Sequence, residues 1–116
     1  MDTEPLAFAE TLARRKESAR RTIRDISINE LRTLVGELFP ADCTHPLMEP
    51  ISQFIEEHRS ERALRGETSD GISFVYYPKS AKGIWYHYTG KLPSVGRLGQ
   101  TSLKLLAEIM ADKSSS

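Results

Sequence analysis

Cys43, His45, His58 and His87 are the side chains of this chain best suited to metal or acid–base chemistry. Cys43-x-His45 has the spacing of one side of a zinc site, but further ligands would have to come from distant His58 or His87 and a carboxylate. A lone cysteine supports neither a thiolate framework nor an internal disulfide, so no metal and no cofactor is expected. His45 precedes Pro46 and reads as a turn residue, while His58 falls on the apolar side of a helical segment, where packing accounts for it. His87 stands among aromatic residues near Lys79 and Arg97, surroundings in which an imidazole could serve as general acid and base in RNA cleavage. No second catalytic partner accompanies it, and the chain lacks a phosphate-binding glycine loop, a Gly-x-Ser-x-Gly elbow and a His-Glu-x-x-His pair. The expectation leans away from an enzyme, with a small ribonuclease using His87 as the third reading.

Binding chemistry is more visible than catalysis. Six of the nine aromatic residues, Phe74, Tyr76, Tyr77, Trp85, Tyr86 and Tyr88, fall in two short segments dense in β-branched and aromatic types. Lys79, Lys82, Lys91 and Arg97 surround them. Rings that stack bases beside cations that meet phosphates are what a single-stranded nucleic-acid site requires. The leading reading is therefore a nucleic-acid-binding module whose site comprises Tyr77, Lys79, Lys82, Trp85, Tyr86, His87, Tyr88, Lys91 and Arg97. An alternative uses the same aromatic surface as a protein interface, in an inhibitor, antitoxin, immunity protein or assembly subunit. A third arrangement sandwiches both faces of the ribbon between helices, leaving no aromatic surface.

The charge distribution favours an anionic partner. Lysine and arginine number 16, as do aspartate and glutamate, so the formal net charge is zero. Residues 1–24 carry a net charge of +2, residues 25–70 carry −6, and residues 71–104 contain five cations and no carboxylate. A basic stretch within a neutral protein suits a polyanion or an acidic protein surface.

Local patterns place these groups. Residues 4–25 are rich in helix formers, and Leu12, Ala19 and Ile26 form a thin seam suited to packing on the domain or on a second copy. Ser27 and Glu30 have capping-box spacing before a helix from about 28 to 39, which Pro40 ends. Leu47, Ile51, Phe54, Ile55 and His58 define a third helix over 46–65, with Gly66 as its stop; its Glu49, Glu56 and Glu57 would repel phosphates and argue against insertion into a DNA groove. Residues 72–77 and 84–89 read as a β-hairpin, and Tyr77 opposite Ile84 puts Ile72, Phe74, Tyr76, Trp85, His87 and Thr89 on one face and Ser73, Val75, Tyr77, Ile84, Tyr86 and Tyr88 on the other. Residues 90–99 read as an irregular connection before a last helix capped by Thr101 or Ser102, with Leu103, Leu106, Ala107 and Met110 on one face.

The expected fold is α+β, with about three N-terminal helices, one aromatic antiparallel hairpin and a C-terminal helix. Residues 1–26 form a basic helix for packing or dimer formation, residues 27–113 the domain with its hairpin at 72–89, and residues 114–116 a disordered tail. This layout of a helical part followed by a basic hairpin is loosely similar to nucleoid-associated silencing proteins, a resemblance that implies DNA binding. With no apolar run of spanning length and no basic-then-apolar leader, no membrane partner and a cytoplasmic location are expected.

Overall fold

The Ala-, Leu- and Arg-rich N-terminal segment folds as two helices rather than the single one expected. In the computed structural model, which describes residues 6–40, 45–68, 71–89 and 92–115, α1 (Leu6–Arg14) is followed by α2 (Lys16–Thr22) across a break at Arg15, where φ is −124° and ψ 41°. The break lets Phe8 and Leu12 of α1 and Ala19 of α2 enter one core together with Ile23. The chain then extends at Ile23 and forms β1 (Arg24–Ile26) where a helix end was expected.

The capping box forms as its spacing predicts. Glu30 N–H donates to Ser27 Oγ at 3.1 Å and Ser27 N–H donates to Glu30 Oε1 at 3.2 Å, starting α3 (Ile28–Leu38). The third helix is shorter than expected: α4 spans Met48–Glu57, a turn follows, and residues 63–67 form β2 (Ala63–Glu67). Gly66 is thus no helix stop. It lies within β2, where an added Cβ would collide with the Phe74 ring and press on Ile23.

The hairpin is the centre of a larger sheet. β3 (Ser73–Tyr77) and β4 (Lys82–Thr89) pair with Tyr77 opposite Lys82 and Val75 opposite Ile84, two residues away from the expected register. A shift of two preserves the side-chain alternation, so each residue keeps its expected face. β5 (Leu92–Arg97) replaces the irregular connection and pairs with β4 over six positions; Pro93 is accommodated because β5 is an edge strand. The five strands form an antiparallel meander in chain order, and α5 (Gln100–Ser115) closes the fold. Because α5 begins at Gln100, Thr101 and Ser102 lie inside it rather than at its cap, and it reaches into the tail expected at 114–116.

Helices cover both faces of this α+β sheet. Leu31, Leu34 and Leu38 of α3 and Ile51, Phe54 and Ile55 of α4 pack on Ala63, Val75, Tyr77, Ile84, Tyr86 and Val95. The other face packs Leu64, Phe74, Tyr76 and Trp85 against Phe8, Leu12, Ala19, Leu103, Leu106 and Ile109. Leu12 and Ala19 of the heptad seam belong to this second core and Ile26 to the first. Among the described residues, no helix is long and apolar enough to cross a membrane.

Candidate functional site

Covering both faces removes the aromatic platform. Tyr77 is 0 %, Tyr86 3 % and Trp85 5 % exposed, so none of the three can stack on a base in the folded chain. Tyr77 lies beneath α4, its ring centre 5.6 Å from that of Phe54 and 5.0 Å from that of His58. The Arg65 guanidinium carbon stands 5.9 Å from the Tyr86 ring centre. The Tyr88 side chain and Lys91 lie outside the described residues, as does Cys43.

Lys79, Lys82 and Arg97 remain exposed and come to one end of the sheet. The β3–β4 turn carries Lys79 and closes through Ala81 in the left-handed region, at φ 53°, immediately before Lys82. Arg97, opposite Ile84 at the end of β5, lays its guanidinium carbon 4.4 Å from the Phe54 ring centre. A cleft of about 450 Å³ runs between Ser80, Lys82, Arg97, Gln100 and Leu103. A second, of about 370 Å³, continues past Ala81 and Thr101 to Lys104. Neither is lined by a carboxylate among the described residues. Lys104 belongs to the acid-free stretch of the sequence, but only the docking of α5 brings it beside the turn.

Several cations elsewhere are matched. Arg32 pairs with Glu56 at 2.8 Å, Arg62 with Asp25 at 2.7 Å and Lys16 with Glu108 at 3.6 Å. Among the described residues, no carboxylate lies within 4 Å of a cationic nitrogen of Lys79, Lys82, Arg97 or Lys104. The nearby Glu61 is engaged: Ser80 Oγ donates to it, 2.7 Å from both carboxylate oxygens, and His58 Nε2 is 3.9 Å away.

His87 does not join this end. It is half-buried in a separate cleft of about 390 Å³ with Leu34, Glu37, Arg65, Ser73 and Tyr86. His58 Nδ1 donates to the Phe54 carbonyl at 2.7 Å, and His45 Nδ1 accepts from Leu47 N–H at 3.1 Å, so both serve local structure. Among the described residues, no three histidine, cysteine, aspartate or glutamate side chains are grouped as a metal ion would need.

The buried tyrosines have an alkaline signature. Burial pushes the Tyr77 hydroxyl up to about 12, helped by Glu61 and Glu56, and no hydrogen-bond partner satisfies it among the described residues. Burial raises Tyr86 too; Arg65 and Ser73 draw it back, though neither makes a hydrogen bond of good geometry to its hydroxyl. The unfolded chain therefore releases the Tyr77 proton near pH ~10, while the folded chain holds it to about 12, so stability is intact below the lower value and falls as pH rises through the window. That displacement is worth on the order of 3 kcal/mol. Tyr77→Phe is expected to leave stability at neutral pH equal or higher, because it removes an unsatisfied buried hydroxyl, and to abolish that part of the alkaline loss. Urea unfolding at near-neutral pH and at about pH 11 checks this. Equal losses in the two proteins would contradict it.

Comparison with protein-family models, curated proteins and solved structures finds no match to this chain.

Proposed function

We propose that this protein is a small binding module for nucleic acid, holding the polymer by its phosphates at the basic end of the sheet. Lys79, Lys82, Arg97 and Lys104 carry the contact, and the aromatic residues of the hairpin build the core that positions them. The observation supporting this reading is that three exposed cations, Lys82, Arg97 and Lys104, line adjoining clefts beside the turn that carries Lys79, with no carboxylate partner among the described residues. Exposed cations without counter-charges raise the local potential and attract phosphates at long range. Without accessible rings at this end among the described residues, affinity is electrostatic and depends little on sequence.

Fluorescence anisotropy with labelled single-stranded DNA and RNA of about 20 nucleotides tests the proposal. Four phosphate contacts on a single strand should lower the affinity about 50-fold between about 50 mM and about 200 mM salt. Trp85 emission should stay unchanged through the titration, since the indole is buried on the face covered by α1 and α5. No binding at the lower salt, or equal affinity at both, would overturn the reading.

A further inference from the structure

We propose that Arg24 and Arg65, on the β1–β2 edge of the sheet, form a second anion site, which takes a phosphoryl group. The β1–β2 register places Arg24 directly opposite Arg65. Residues opposite one another in an antiparallel pair share a face with Cβ atoms about 5 Å apart, and like charges there destabilise the sheet. The neighbouring Asp25 of β1 is paired, accepting from Arg62 Nε at 2.7 Å. Among the described residues, neither Arg24 nor Arg65 has a carboxylate within 4 Å.

Both arginines line a cleft of about 380 Å³ with Arg21, Thr22, Gly66 and Glu67. Arg21 shares Glu17 with Arg20, its Nε 3.8 Å from Oε1. Glu67 is the one carboxylate lining the cleft among the described residues, so positive charge exceeds negative. The frame is fixed by Thr22, whose Oγ1 accepts from Glu67 N–H at 2.8 Å and ties the end of α2 to β2. Arg65 is half-buried against the Tyr86 ring, which restrains its guanidinium before any ligand arrives. Two arginines lining one cleft can offer guanidinium forks that match the oxygens of a tetrahedral phosphoryl dianion, and a bound dianion would turn the repulsion between them into attraction. The site lies on the β1 edge of the sheet, apart from the Lys82 and Lys104 end on β4 and α5, and does not depend on that end binding nucleic acid.

Thermal unfolding of the full chain in inorganic phosphate and in chloride at matched ionic strength tests this. Phosphate also stabilises folded chains by exclusion from their surface, so the informative quantity is the response of the parent minus that of Arg24→Gln. The parent should gain about 3 °C more than the variant when the site is filled. In chloride, Arg24→Gln should melt at or above the parent temperature, because the facing like charges are gone. The difference made by Arg24→Gln should persist unchanged in a Lys82→Glu/Lys104→Glu background, which separates this site from the basic end. An equal response in the parent and Arg24→Gln, or an Arg24→Gln protein that melts below the parent in chloride, would overturn the assignment.

Discussion

Truncating Phe74 to alanine is expected to remove about 3–5 kcal/mol of stability, the largest loss expected from any single change considered for this fold. Phe74 is fully buried on β3, the central strand, and meets the edge of Phe8 with ring centres 6.3 Å apart. Its ring also fills the space left by the missing side chain of Gly66, its partner in β2. For a domain whose total stability is about 5–15 kcal/mol, the loss shifts a large part of the population toward the unfolded state. The pairing with Gly66 yields a sharper expectation. Gly66→Ala alone should destabilise by about 1–3 kcal/mol, because the new methyl must displace the ring, yet should cost much less in the Phe74→Ala background. Urea unfolding of the two single variants and the double variant measures that coupling. Strict additivity would show that the ring does not occupy this space.

The second large effect concerns binding. Lys82→Glu/Lys104→Glu is expected to weaken nucleic-acid affinity on the order of 100-fold at low salt, because each reversal removes an attraction and adds a repulsion of about 1 kcal/mol before screening. Both side chains are exposed and no carboxylate pairs with them among the described residues, so stability should change by less than about 0.5 kcal/mol. Anisotropy titrations alongside melting curves read both quantities. A loss of binding accompanied by a large fall in melting temperature would point to damage to the fold rather than to the contact.

What the sequence discloses about this fold depends on how local each signal is. The Ser27–Glu30 capping box and the apolar period of α3 act within a few residues, and both appear where the spacing puts them. The two faces of the hairpin were also legible, because alternation survives a two-residue error in register. β1, β2 and β5 were not. β2 reads Ala-Leu-Arg-Gly-Glu, mostly helix formers around a glycine, and is a strand because β1 and β3 flank it. β5 contains Pro93 and Gly96, both poor strand residues; an added Cβ at Gly96 would approach within 3.0 Å of the Trp85 indole.

The same distinction governs the site. Lys79 and Lys82 could be read together from the charge pattern, since both belong to one hairpin turn; Arg97 was visible as a cation, but its place beside them depends on β5. Lys104 was hidden by its place on a helix whose docking the sequence does not specify. The tyrosines misled because strands aromatic on both faces fit an exposed platform and a doubly covered sheet equally well. The choice rests on α1 and α5 covering one face and α3 and α4 the other.

The most direct measurement for phosphate binding at the basic end is the slope of log affinity against log salt, for the parent and for Lys79→Gln/Lys82→Gln/Lys104→Gln on one labelled single strand. Each lost contact should make the slope shallower by about 0.7, so the triple variant should differ from its parent by about 2. Parallel slopes, with affinity equal at every salt concentration, would contradict binding through this end of the sheet.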